Sequence, residues 1–315
     1  MSAPGHTRPA TPLVTIGIPV HNGGHYLPAT LAALRDQTLS DFELIISDNG
    51  STDGTPDVGR AAAAADPRIR YVRHETNQGA AWNYNHLVSL ARSRYFKWNG
   101  HDDICLPDYL ARCVGALEDN PEAVLCYPRT TLIDATGVEI GPYEDGLNID
   151  ATDPGRRVRQ YLLRISMANA VFGVHRLDVL RRSHLIGAYN SSDQVLLYEL
   201  ALRGQFMEIP ARLFLRRVHD ASSLRANTTP TDVRQWFTGA AKAPSVVFPR
   251  TRLLGELVRA SLTADIPLAG RLSALKVLMA TWARRDRRRI TGELYRGIRG
   301  QLRASARRSR PTTTD

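Results

Sequence analysis

The chain has 315 residues, 43% of them hydrophobic, which is ordinary for a globular protein with a real core and leaves room for one large domain or two modest ones. No run of about 18 apolar residues is present and the first dozen residues lack a basic-then-apolar leader layout, so neither a membrane-spanning helix nor export is expected and a cytoplasmic location fits. Three cysteines without a C-x-x-C spacing argue against a disulfide framework or a zinc ribbon. The formal net charge is +10, but eleven arginines stand against Asp286, Glu293 and Asp315 beyond Thr281, so eight of those ten charges sit at the C-terminus. Two readings of that tail stay open: a solvated segment, or a peripheral contact with an anionic membrane face.

The first half alternates strand and helix. Leu13–Ile18 is a short β-branched apolar run ended by Pro19, the pattern of a buried strand. Tyr26–Gln37 carries Leu27, Leu31 and Leu34 at helical spacing, and Phe42–Ser47 reads as a second strand. Thr55-Pro56 reads as an N-cap followed by proline at the first helical position. A third strand at Ile69–Val72, a helix at Trp82–Ser93, a fourth strand at Tyr95–Trp98 and a fifth at Ala123–Tyr127 follow. Trp82 and Trp98, each in an apolar-periodic segment, are expected in the core. This order implies an α/β fold with a mainly parallel, Rossmann-like sheet and helices on both faces. In such sheets ligands bind beyond the carboxyl ends of the strands. The polar clusters fall there: His21-Asn22 after the first strand, Asp48-Asn49 after the second, Asp102-Asp103 after the fourth.

The second half is less regular. Helices are expected at Val158–Met167, Leu177–Arg182 and Asp193–Arg203, and a strand at Leu213–Val218. Asn227–Thr231 reads as a linker, followed by helical segments with Leu268, Leu272, Leu275, Leu278 and Trp282 on one face. The expected organisation is a flexible tail over 1–12, a catalytic domain over 13–225 divided at 105/106, a helical extension over 226–283, and a basic tail over 284–315.

Adjacent carboxylates on a tight turn after a strand suit a hard cation, which takes oxygen ligands from one or two carboxylates plus phosphate. Asp102-Asp103 has that form, although a lone Asp-Asp serves a surface turn equally well. Asp48–Thr55 is a second polar loop with two carboxylates and glycines. Neither a G-x-G-x-x-G nor a G-x-x-x-x-G-K-[ST] pattern occurs, so a dinucleotide fingerprint and a P-loop are not indicated.

In combination these segments resemble glycosyltransferase family 2, the large GT-A family. Ile18-Pro19-Val20-His21-Asn22 resembles its opening strand and P-x-[YH]-N turn. Gln37-Thr38 followed by Phe42–Thr55 is similar to its "Q…EIIVVDDGSTDGT" segment, and Asn77-Gln78-Gly79 with Asn83 and Asn85 to its N-x-G…N segment. Gly100-His101-Asp102-Asp103 stands at its DXD-type motif, Ser192-Asp193-Gln194 at its later acidic segment, and Arg217-Val218-His219 with Ser222 at an R-x-H-x-x-S element. The likeness runs over about Leu13–Ser223. Two positions depart from it: Gly100 replaces an acidic residue common in the family, and Asn83-Tyr84-Asn85 lacks an arginine that many relatives carry.

The resemblance implies a GT-A enzyme that moves a sugar, with inversion, from a nucleotide-sugar donor to an acceptor hydroxyl with help from Mn²⁺ or Mg²⁺. It implies that Asp48 meets a pyrimidine base, in a pocket shaped by Pro19 and His21, and that Asn22, Asn77, Gly79 and Asn85 belong to the donor site. Asp102 would face ribose or metal, Asp103 would be the main metal ligand, and His219 would touch diphosphate or metal. Asp193 would be the general base, an N-cap being its plain alternative. UDP or dTDP is the expected nucleotide. The second half should supply the acceptor site, with Phe172, Gly173 and His175 as a candidate wall against ordinary packing. The acceptor is expected among cell-envelope glycans, lipid-linked sugars and small metabolites.

Two other classes compete. A nucleotidyltransferase wants lysine or arginine in the loop after the first strand, and His21–His25 has neither. A basic nucleic-acid or membrane module wants basic and aromatic residues interleaved on the folded part. Here the excess is confined to the tail, and no nucleic acid is expected as partner.

Overall fold

A computed structural model describes residues 11–220, 229–239 and 249–285. Of the linker expected at Asn227–Thr231, residues 229–231 are described and open a helix instead, with Thr229 as its N-cap, while the arginine-rich tail lies almost wholly outside the described residues. No helix among those described is long and apolar enough to cross a membrane.

Strands β1 (Val14–Val20), β2 (Phe42–Asp48), β3 (Ile69–Arg73) and β4 (Tyr95–Trp98) run parallel in the order β3-β2-β1-β4. Helices α1 (Leu27–Arg35), α2 (Thr55–Ala65) and α3 (Ala80–Leu90) connect them. β1 is buried along its whole length, as a central strand covered on both faces must be. The period of two divides each strand between two cores. Ile45, Phe96 and Trp98 face one layer, while Leu44, Ile46 and Tyr95 face the other. Gly17 lets α3 lie close: a Cβ there would stand 3.1 Å from Leu87. The α2 start differs by one residue from expectation. Gly54 is the N-cap, and Asp53 receives the Thr55 N–H at 3.0 Å.

Beyond β4 the sheet becomes mixed, a refinement of the mainly parallel expectation. A two-residue β5 (Ile104–Cys105) leads to α4 (Tyr109–Asp119), then to β6 (Ala123–Ile133) and β7 (Glu139–Tyr143). Next come α5 (Pro154–Arg164), a 3₁₀ turn at Asn169–Phe172, β8 (Val174–Arg176), α6 (Leu177–Arg181), α7 (Ser192–Arg203) and β9 (Gln205–Arg217). β8 is antiparallel to both β4 and β6, β9 is parallel to β6, and β5 is antiparallel to β9. β6 is longer than expected because it turns into a hairpin with β7. The turn carries its own signal in Asp134-Ala135-Thr136-Gly137. Asp134 accepts from the N–H groups of Thr136 and Val138, and Gly137 has φ 94°. α5 starts four residues earlier than periodicity suggests, since Asp153 caps it by accepting the Arg156 N–H ahead of Pro154.

Three more helices complete the described chain. α8 (Pro230–Thr238) opens on a Thr229/Asp232 capping box and packs on α3. α9 (Pro249–Thr263) and α10 (Leu268–Arg285) pack on α5 and α7. Leu257, Ala260, Ala274 and Leu278 from these helices are buried in the same core as Phe96 and Tyr198 of the sheet-bearing part.

Candidate active site

The carboxyl ends of β1, β2 and β4 open into a cleft of about 700 Å³, whose walls include Pro19, His21, Asn22, Asn77, Asp102, Asp103 and His219. With Phe172, which also lines it, eight residues expected at the site from sequence therefore meet in one cavity. The loop after β1 is held by side chains of the loop after β2. Ser51 Oγ accepts the Asn22 N–H, Thr55 Oγ1 accepts the Gly23 N–H, and Asn22 Oδ1 accepts the Thr52 N–H. Asn22 itself sits at φ 55°, a left-handed conformation that asparagine tolerates.

Asp102 and Asp103 lie at the floor. His219 Nε2 and Asp102 Oδ2 are 2.9 Å apart, and Asp103 Oδ1 accepts the Arg217 N–H at 3.0 Å. Arg217 Nε in turn donates to the Asp102 carbonyl at 2.9 Å. The start of the R-x-H element thus stitches the carboxylate pair from 114 residues away. Burial, together with the Asp102 charge, raises the Asp103 carboxyl above its ordinary range. Gly100 fits this crowding, because a Cβ there would stand 2.5 Å from Asp103 Oδ2.

A smaller cavity of about 210 Å³ adjoins the cleft and is lined by Asp193, Ser191 and Asn190. The two share Tyr84, Met167, Phe172, Arg216 and Trp236. Asp193 is in the first turn of α7, but Ser191 is the cap residue and no side chain caps this helix, so Asp193 is not an N-cap. Burial pushes its carboxyl above the usual range.

Several expected residues are elsewhere. Asp48 is fully buried, with Oδ1 accepting the Ser51 N–H and Oδ2 the Tyr71 hydroxyl, so it organises its loop and is not on the cleft wall. Its neighbour Asn49 is on that wall and ties the β2 loop to Asn77, Gln78 and Gly79. Gly79, at φ 86°, accommodates the end of α8: a Cβ there would be 2.4 Å from the Phe237 carbonyl. Asn85 clamps the backbone of Ile186, donating to its carbonyl at 2.9 Å and accepting its N–H at 3.0 Å, away from the cleft. Of the expected acceptor wall only Phe172 reaches the cavities. His175 is fully buried and held to the Val171 carbonyl, its pKa brought down to about 4 by burial, and Gly173 is packed on Leu125. Trp98 is core as expected. Trp82 is not: it is 39% exposed and stacked on His86.

Sequence reasoning missed Tyr26, Arg216 and Trp236. Tyr26 packs against His219 and Arg217. Arg216 was hidden beside the motif arginine. Trp236 belongs to the segment expected only as a helical extension, where the Thr229-Pro230-Thr231-Asp232 capping pattern is the available signal.

The family model for glycosyl transferase family 2 matches residues 15–174. Among curated relatives, a putative glycosyltransferase EpsH of Bacillus subtilis is 32% identical over 116 residues, which is 37% of this chain and 33% of EpsH. A chondroitin synthase of Escherichia coli is 30% identical over 131 residues, 42% of this chain and 19% of that protein. The chain thus spans a third or less of these relatives. Among solved structures, S. aureus TarS 1-349 in complex with UDP superposes with a TM-score of 0.60 at 14% identity, covering 87% of this chain and 72% of that one. The mannosyltransferase PcManGT of Pyrobaculum calidifontis, in complex with GDP-Man and Mn²⁺, gives 0.51 at 16% identity, covering 87% and 75%. The fold is GT-A, and with half of its length matched by the family model the chain belongs to glycosyl transferase family 2.

Proposed function

We propose that the protein transfers a sugar from a UDP- or dTDP-sugar to an acceptor hydroxyl, with inversion and with a divalent cation at Asp102-Asp103. The observation that carries this reading is the continuity of two cavities, one holding Asp102, Asp103 and His219, the other Asp193. The relatives of known structure that were crystallised with UDP and with GDP-Man and Mn²⁺ support the donor class.

The donor set suits Mn²⁺ or Mg²⁺. Two carboxylates stand side by side at the floor, burial and the Asp102 charge raise the Asp103 carboxyl, and a cation there would offset that cost. Among the described residues no three His, Cys, Asp or Glu side chains form a ready cage, in keeping with a site completed by phosphate oxygens. When bound, the cation neutralises charge on the departing diphosphate. The protein's own residues do the rest. The loops after β1 and β2 receive the nucleotide, with Pro19, His21, Asn22 and Asn49 around it. Asp103 is held in orientation by the Arg217 N–H and Asp102 by His219. Asp193 takes the proton of the acceptor hydroxyl as it attacks the anomeric carbon. A single displacement from the acceptor side inverts the configuration. The smaller cavity, walled by Phe172, Trp236 and Asn190, receives the acceptor, and its mixed lining fits a sugar or a glycosylated small molecule.

Calorimetric titration of UDP, dTDP and GDP with and without Mn²⁺ tests the reading. UDP or dTDP should bind in a metal-dependent way that Asp103→Ala abolishes. Asp193→Asn should keep that binding and lose 10²–10⁴-fold in kcat. Absence of nucleotide binding in the presence of metal would overturn the assignment.

A further inference from the structure

Among the described residues lining the two cavities, the permanent cations are Arg216 and Arg217. Arg217 is already engaged: its Nε and Nη1 donate to the carbonyls of Asp102, Asp134 and Ala135. Arg216 differs. Its guanidinium lies 5.8 Å from the Phe172 ring centre, and its Nη1 is buried with no hydrogen-bond partner. A buried N–H without an acceptor costs free energy, and a charged donor more. Such a group is retained where a ligand supplies the acceptor. α3 contributes only Ala80, Asn83 and Tyr84 to the cleft and so brings no cation of its own. Arg216 lines both cavities, the one that holds Asp103 and the one that holds Asp193. The ligand segment that spans these two carboxylates, if the proposed function is right, is the junction between the diphosphate and the transferred sugar. Of that junction the phosphate is the anion.

We infer that Arg216 is the diphosphate-binding arginine of this enzyme, reaching the sugar-linked phosphate from β9. As the acceptor oxygen bonds to the anomeric carbon, the bond from that carbon to the phosphate oxygen breaks and its electron pair leaves with the phosphate. The Arg216 N–H groups donate to the oxygens that gain this charge.

The test is calorimetry on the full chain with Mn²⁺, comparing nucleoside diphosphates (UDP, dTDP, GDP) with the corresponding monophosphates, for the wild type, Arg216→Met and Arg216→Lys. Arg216→Met should weaken the diphosphate that binds wild type about 10- to 100-fold, while changing its monophosphate less than about threefold. Arg216→Lys should fall between the two, since it keeps the charge and loses the fork. A melting profile matching wild type guards against misfolding, and Arg216→Lys carries the comparison if the methionine variant fails to fold. Undiminished diphosphate affinity, or equal loss for diphosphate and monophosphate, overturns the assignment to Arg216 and leaves the proposed function standing. If wild type binds no nucleotide at all, the proposed function itself is overturned, and this inference with it.

Discussion

Asp145 has 4% of its surface exposed, one oxygen accepts the Asn169 N–H, and burial pushes its carboxyl up to about 7. A carboxyl raised in the folded state holds a proton that the unfolded chain has released. Its contribution to stability is full below about pH 4 and is lost as pH rises through 7. Asp145→Asn keeps an acceptor for Asn169 and has no charge to bury. Denaturant unfolding should show this variant more stable than wild type by on the order of 1–3 kcal/mol at pH 8, with little difference at pH 4. Wild type and variant keeping a constant gap across that range would refute the shift. At this scale the sequence was informative where a residue type and its motif position coincide with a strand end, as for Asp102, Asp103, His21 and Asn22. It does not separate these from a motif residue that serves the loop itself. Asp48 is conspicuous in its segment because Ser51 and Tyr71 need its oxygens, and that demand has no sequence signature of its own.

Elements carry the next level. The parallel strands β1 to β4 were legible because each is a short apolar run bounded by turn residues, and a strand buried on both faces needs such a run. β7 was not, because its one large apolar aliphatic residue, Ile140, is exposed and its register depends on the hairpin partner. α3 is tied to the segment before α7 by Asn85, whose side chain makes both hydrogen bonds that the Ile186 peptide groups offer. Asn85→Ala should lower the unfolding free energy by about 1–3 kcal/mol, as expected for unpairing two part-buried groups. Nucleotide affinity should stay within twofold, a result that separates a clamp from a donor contact. A tenfold loss of UDP or dTDP affinity at unchanged stability would restore Asn85 to the donor site.

For the whole molecule, the boundary expected near residue 225 does not divide the core. Leu278 of α10 is fully buried and belongs to the same cluster as Tyr161, Tyr198 and Phe96. A helical extension that shares its core with the sheet should melt with it. Leu278→Ala should cost about 2–5 kcal/mol and move one cooperative transition downward. A second, earlier transition would mark the extension as a separate unit. The two-way bonding of the Asp102-Asp103 turn to Arg217 bears on synthesis as well. A ribosome delivers the parallel half of the sheet and both carboxylates long before it delivers β9. Until the chain has grown past residue 217 the Arg217 N–H is not there to donate to Asp103, so a nascent chain, or one truncated before that point, has the acidic turn without the geometry that orients it.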